Sequence, residues 1–464
     1  MKVKDIYLIS YSVKGIKSLD QLITLSFYKK TISKNPDTQE YNIKGIYGMN
    51  GSGKSAIITS VEILRNLLVD SGYLNNPIAQ DNLDAIINKR TGELFIEVDY
   101  TANVKKTLML FRYNMALAKD ISGKYIISHE ALSVKRATSK SETMILLFEV
   151  IDGEIAFLSE LKEQDEFSVK MLNKTMNLLD TASMSALFYE KFLIIIMRRI
   201  KEGNVKYISF LEAALSFLYF FGKNIHVYLD QSDDHRSYVA RNSLENYDDR
   251  EKYKDEIDSL LGSLVKMDND YLSVISVTGN IVSRSLYSDF EEEVDQLYEF
   301  LHIFKSDLQK IEIDKKENHD FWVCDLVMVY DSYKIHAEYE STGIKKLIKL
   351  FVYIKEMVEG GIVFIDEFDS NLHDVYLCAL LEYLMEYGEG QLCFTTHNVG
   401  PMDVLKRRKK SIDFLSENHK LYSWKTNGNY SPSRLYRNGM IEGSPFNVDS
   451  IDFISVFGSG GEGE

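Results

Sequence analysis

Gly48-Met49-Asn50-Gly51-Ser52-Gly53-Lys54-Ser55 is a stretch whose residue types and spacing can do chemistry. Glycines at 48, 51 and 53 let the backbone turn with no side chain in the way, so its N–H groups can face an anion. A helix starting at Lys54 would bring unpaired N–H groups and a positive dipole end to the same spot. Lys54 would then bridge the β- and γ-phosphates of ATP, and the Ser55 hydroxyl would hold Mg²⁺. The expected nucleotide-binding set is Gly48, Asn50, Gly51, Ser52, Gly53, Lys54 and Ser55. A second constellation is Gly361-Ile362-Val363-Phe364-Ile365-Asp366-Glu367, an apolar run ending in two acids. Placed beside the phosphate loop, Asp366 would steady Mg²⁺ through water, and Glu367 would polarise the attacking water as general base. Two acids at a strand end are only moderately specific alone. Following a phosphate loop in the same chain, they point to ATP hydrolysis.

These groups need particular elements to position them. Ile43 to Tyr47 is apolar and reads as a strand, and Ala56 to Val69 has apolar residues at helical spacing, so the glycine run lies between strand and helix. Ahead of it, two strands are expected around Ile6–Ile9 and Leu22–Phe27. After it come strands at Leu94–Tyr100, Thr107–Arg112, Tyr125–Ser128 and Ile145–Val150, an antiparallel block rather than a βαβ series. From about 160 to 310 the texture is mainly helical. Its dense charge at Asn246–Asp258 and Asp289–Asp295 reads as solvated helix faces, and its aromatic run Phe217, Tyr219, Phe220, Phe221 as core. Strands are expected again at Phe321–Tyr330 and Tyr333–Tyr339, then a helix at Ile344–Val358. The buried strand Ile362–Ile365, a helix at Val375–Tyr387 and the buried strand Leu392–Thr395 follow. The expected class is α/β, a P-loop NTPase with an antiparallel lobe. Its expected parts are an N-terminal lobe at 1–160, a helical insertion at 161–310, a C-terminal lobe at 311–457 and a flexible tail at 458–464.

Composition narrows the field. The 464 residues are 45% hydrophobic and 27% charged, enough for a large core. A net charge of −15 argues against a chain that coats nucleic acid over its whole surface. Cys324, Cys378 and Cys393 have no CxxC spacing, which fits a reducing cytoplasm and offers no disulfide framework. No apolar run approaches the ~20 residues of a membrane span, so a cytoplasmic protein without a membrane partner is expected.

The remaining motifs arrive in a fixed order. Glu340-Ser341-Thr342-Gly343 stands before the carboxylates, Asp369-Ser370-Asn371-Leu372-His373 follows them, and Thr395-Thr396-His397-Asn398 closes the series. With these the chain resembles ABC-type ATPase heads, in the branch that holds RecF, SMC and overcoming-lysogenization-defect proteins. Ser341-Thr342-Gly343 matches the signature motif, Ser370-Asn371-Leu372-His373 the D-loop, and His397 the switch histidine. The resemblance covers residues 1–160 and 310–430. It implies a composite ATP site in which Ser341 and Gly343 of one protomer close on the γ-phosphate held by another, with His397 reporting that phosphate. It therefore implies a homo-oligomer of dimer units, up to a hexamer. Departures are the lack of a Q-loop glutamine near Phe95–Val98 and His373 where transporters carry aspartate. No long heptads suggest coiled-coil arms.

A nuclease domain of the overcoming-lysogenization-defect type is not expected after His397, so an effector would be a separate polypeptide. Among stand-alone heads with an insertion, the chain resembles the ATPase-subunit family of the PARIS anti-phage system (AriA), with the Septu ATPase second. That family implies a homo-oligomer restraining a nuclease-type effector until a phage protein is sensed. The alternative is a RecF-like DNA-processing ATPase. Lys406-Arg407-Arg408-Lys409-Lys410 reads either as a solvated helix end or as a dock for DNA or an acidic phage trigger protein.

Overall fold

The computed structural model describes residues 6–34, 36–104, 106–159, 183–188, 214–215, 217–229, 275–318, 321–425 and 431–444. The chain starts with β1 (Tyr7–Lys14), β2 (Ile23–Ser26), β3 (Ile43–Gly48), α1 (Lys54–Val69) and α2 (Pro77–Ile86). Then come β4 (Glu93–Val104), β5 (Thr107–Lys119), β6 (Tyr125–Arg136), β7 (Ile145–Ile151), β8 (Glu154–Leu158) and β9 (Ile225–Tyr228). The next part holds β10 (Asn280–Ser283), α3 (Tyr287–Phe304), β11 (Leu308–Asn318), β12 (Phe321–Tyr330), β13 (Lys334–His336) and α4 (Thr342–Glu359). Last are β14 (Ile362–Ile365), α5 (Asp374–Tyr387), β15 (Gln391–Thr395), α6 (Gly400–Leu405), β16 (Ile412–Leu415), β17 (Leu421–Ser423) and α7 (Pro432–Arg437).

These strands make three sheets. One has the order β17-β16-β3-β15-β14-β9 and is parallel except for the edge strand β17. Every residue of β3, β14 and β15 is buried, as expected of parallel strands covered on both faces. A second, antiparallel sheet has the order β2-β1-β4-β5-β6-β7-β8. The third joins β10, β12, β11 and β13. Helix α1 lies in the core between the first two sheets. Its Ile57, Val61, Leu64 and Leu68 share one apolar cluster with Val98 and Tyr113 of the antiparallel sheet and Phe364 of the parallel one. The opposite face of the parallel sheet is covered by α5, α6 and Tyr436 of α7, and α3 and α4 close over the third sheet.

Several expectations shift. Strands β4, β5 and β6 run longer than their apolar patterns, because cross-strand pairing carries them out to polar hairpin ends. The strand expected at Tyr333–Tyr339 is only β13, after which Ala337–Tyr339 makes a 3-10 turn. Most of 161–310 lies outside the described residues, including Asn246–Asp258, as does the tail at 458–464. Where the segment is described, Ile225–Tyr228 is a strand of the parallel sheet, not part of a helical insertion: it pairs with β14 from Ile362↔Ile225 to Ile365↔Tyr228. The aromatic run before it is core. Phe217, Phe220 and Phe221 are buried, and Tyr100 stacks between Phe221, at 4.5 Å, and Phe111, at 5.3 Å. Asp289, Glu291, Glu292 and Asp295 lie on the exposed side of α3.

Candidate nucleotide site

The phosphate loop hangs between β3 and α1, and its glycines are required locally. A Cβ on Gly48 would meet the Leu415 carbonyl oxygen at 2.4 Å, and Gly53 has φ 104°, a left-handed conformation that favours glycine. Lys54 opens α1 and is buried, with Nζ donating to the carbonyls of Gly48 (2.8 Å) and Met49 (2.9 Å). Burial pushes its ammonium down to about 8, against the attraction of Asp366, Glu367 and Asp369, so the protonated form prevails at pH 7. Ser52 is buried inside the loop, and its Oγ has no hydrogen-bond partner among the described residues. Such an orphaned hydroxyl in a glycine cradle, with a buried ammonium beside it, fits the polyphosphate of a nucleotide. Ser55 is half-exposed in the first turn of α1, and Asn50 lies exposed at the loop tip.

Strand order brings the carboxylates to this loop. β15 lies between β3 and β14, and all three run the same way, so Thr395 and Asp366 lie at the same end of the sheet as Gly48. The Thr395 hydroxyl donates to Asp366 Oδ1 and accepts from the Glu367 N–H at 2.8 Å. One side chain from the intervening strand thus holds the Asp366 carboxylate and the Glu367 backbone. Glu367 sits at φ 47°, an uncommon conformation for a non-glycine residue and one that recurs at functional sites. The Asp366 N–H donates to the Tyr228 carbonyl at 2.8 Å, so β9 helps hold the same corner. His397 is exposed, and its N–H donates to Asp369 Oδ1 at 3.4 Å. Desolvation, then the charge of Lys54, lowers its imidazole pKa, which leaves it neutral at pH 7. Among the described residues no group of three or more His, Cys, Asp or Glu could hold a metal ion by itself. Mg²⁺ at a phosphate loop is instead held by one or two protein oxygens, waters and the phosphates, a role Ser55 and Asp366 suit.

Ser341 and Gly343 occupy a different place. Ser341 caps α4, with Oγ accepting from the Ile344 N–H at 3.3 Å, and is exposed. Thr342 Oγ1 donates to Asn371 Oδ1 at 3.3 Å. A Cβ on Gly343 would come within 2.8 Å of the Asn371 carbonyl oxygen, so glycine lets α4 begin against that loop. Asn371 is itself left-handed, at φ 59°. One turn further along α4, buried Lys346 sends Nζ to the Glu367 carbonyl at 2.5 Å and to Ser370 Oγ. The signature motif is therefore wired to the backbone of the proposed general base within one chain.

Sequence reasoning missed Thr395, Asp369 and Lys346 as members of this site. A threonine ending the apolar run Leu392–Phe394, and a lysine among Ile344, Leu347 and Ile348 on the apolar face of a helix, were the available signals.

The basic run past α6 is paired internally. Lys406 meets Asp403 (3.1 Å), Arg407 meets Glu382 (3.0 Å), and Arg408 and Lys409 approach Glu40 (3.8 and 3.6 Å). Lys410 donates to Ser26 Oγ and the Tyr28 carbonyl. This run staples α6 to neighbouring segments, and its charge is largely matched.

Residues 220–403 match the family described as "AAA domain, putative AbiEii toxin, Type IV TA system". The match runs from the helical stretch before β9 through the signature motif, both carboxylates and His397. It supports a bacterial AAA/ABC-like P-loop ATPase, a class that in general binds ATP with Mg²⁺ and hydrolyses it. No curated protein matches the chain. Among the described residues no helix is long and apolar enough to cross a membrane.

Proposed function

We propose that the chain is an ABC-type, Mg²⁺-dependent ATPase whose nucleotide state restrains and releases a separate nuclease-type effector in bacterial anti-phage defence. The observation that carries the hydrolase reading is the Thr395 hydroxyl, which fixes Asp366 and the backbone of Glu367 at the strand ends beside the phosphate loop. Bound ATP with Mg²⁺ supplies the phosphoanhydride bond that is broken. Lys54, charged and buried at the loop, holds the β- and γ-phosphates, and the orphaned Ser52 hydroxyl gains a partner there. Asp366, held by Thr395, and Ser55 would hold Mg²⁺, which would neutralise charge on the phosphates. The Glu367 carboxylate takes a proton from the attacking water. Neutral His397 offers the γ-phosphate a hydrogen bond without adding charge.

The exposed Ser341 and the start of α4 suit closure on the phosphate loop of a second copy, giving dimer units or a hexamer built from them. Lys346 would transmit that closure to Glu367. The anti-phage part rests on the resemblance to PARIS and Septu ATPases and on a matched family whose description names a toxin system. The RecF-like alternative has less behind it, because the basic run that would meet DNA is paired with carboxylates and carbonyls of its own chain.

The test is co-purification of the full chain with the products of its neighbouring genes, with native mass measured with and without ATP. A stoichiometric nuclease-like partner, released or rearranged by nucleotide, is expected. Absence of a partner together with DNA-stimulated turnover would move the assignment to the DNA-processing alternative.

A further inference from the structure

The parallel sheet has two ends, and only one carries the chemistry described above. We propose that the other end binds a small phosphorylated ligand of nucleotide size, at a site separate from the phosphate loop. Where β14 and β15 begin, near Gly360 and Gly390, a cleft of about 690 Å³ opens between the parallel sheet and the ends of β1, β4, β5 and β6. Three cations reach it from different segments: Lys34 from the connection after β2, Lys106 from the β4–β5 turn, and Arg136 from the end of β6. All three are exposed, and none has a carboxylate partner among the described residues.

That arrangement contrasts with the basic run past α6. The charge of the run from Lys406 to Lys410 is largely matched by Asp403, Glu382 and Glu40, and the net charge is −15. Three unmatched cations around one concavity therefore form a local positive site on an acidic protein, where an anion gains charge-assisted hydrogen bonds. Thr107 and Thr138 add hydroxyl donors, and Glu389 is the one carboxylate residue in the wall. The floor is rigid. Buried Gln391 accepts from the Leu8 N–H at 2.7 Å and donates to the Leu8 carbonyl at 2.9 Å, so its amide is already satisfied. The volume lies within the range of small-molecule sites, about 300–1,000 Å³. It suits one compact ligand rather than a strand of nucleic acid. A ligand seated there would touch the starts of the two strands whose other ends position Asp366 and Thr395.

The experiment is calorimetric titration of ATP, and separately of inorganic pyrophosphate, into four full-length chains: wild type, Lys54→Ala, Lys106→Glu with Arg136→Glu, and all three changes together. Lys54→Ala is expected to keep one site for a phosphorylated probe. The triple variant is expected to lose that site, with affinity down about tenfold or more for two reversed cation–phosphate contacts. Both reversed residues are exposed at strand ends, so unchanged thermal melting is expected and separates lost binding from lost folding. The proposal fails if Lys54→Ala binds neither probe, or if the charge reversals leave its residual binding unchanged. It also fails if a DNA oligonucleotide displaces both probes and binds more tightly at the same cations, since the cleft would then belong to nucleic acid.

Discussion

The phosphate-loop half of the site and the signature half differ in how far each is finished within one chain. In the first, Lys54, Asp366 and Thr395 are buried, oriented by one another and by carbonyls, and coupled electrically to Glu367, Asp369 and His397. In the second, Ser341 and Thr342 are exposed, and their fixed contacts run backwards, through Gly343, Asn371 and Lys346, to the loop that carries Glu367. The phosphate-loop half is preorganised for chemistry. The signature half is preorganised for transmission: Ser341 and Thr342 lie exposed, and Lys346 bonds inward to the backbone of Glu367, the proposed base. Substitutions in the two halves should therefore fail differently, the first in binding or in the chemical step, the second in coupling.

The largest effect should come from Glu367→Gln, with turnover down by about 10²–10⁴, the range for loss of general acid–base help, and ATP still bound. Rapid-quench assay beside equilibrium ATP binding checks this, and wild-type turnover in the variant would remove Glu367 from its role. Lys54→Ala should follow, weakening nucleotide binding at the phosphate loop by on the order of 10²-fold through loss of the charge-assisted contacts to two phosphates. Ser341→Arg should leave ATP binding by the separated protomer unchanged while slowing turnover and abolishing any ATP-dependent increase in native mass. An unaltered mass shift would show that the two halves do not meet across copies. Lys346→Met keeps an apolar side chain of similar length but removes the bonds to Glu367 and Ser370 and the ammonium over the Tyr228 ring. It should lower kcat several-fold with little change in ATP affinity, and a matching loss of affinity would make Lys346 merely structural.

The smallest effect is a pH dependence. Lys54 loses its proton on passing about 8 in the free protein, and phosphate contact favours the charged form. ATP affinity should hold below pH 8 and fall as pH rises above it. A flat profile from pH 7 to 9 would mean that the ammonium is not the group facing phosphate.

Much of the phosphate-loop half was legible because its chemistry is local in sequence. Glycines at 48, 51 and 53, Lys54 and Ser55 lie within eight residues, and the apolar run before Asp366 reads as a strand buried on both faces. The signature half was legible as motifs but not as wiring, since the bonds of Lys346 to Glu367 and Ser370 join residues that sequence periodicity does not relate. Strand order was hidden for a similar reason. Nothing in Ile225–Tyr228 announces that it pairs with Ile362–Ile365, and the surrounding texture reads as helical. The Lys406–Lys410 run had two readings, and only packing against Glu40, Glu382 and Asp403 distinguishes a matched staple from a charged dock.

The position of β3 has a consequence for how the protein is made. Its only neighbours in the sheet are β15 and β16, and all six of its residues are buried in the finished structure. A ribosome adding roughly 5–20 residues per second must work for tens of seconds between finishing Gly48 and starting Gln391. During that interval the phosphate-loop strand exists without either partner, with an apolar surface open to other nascent chains. Nucleotide could not be captured productively until Thr395 and Asp366 had joined it. The site would thus be assembled only once synthesis has passed Thr395, long after its phosphate loop was made.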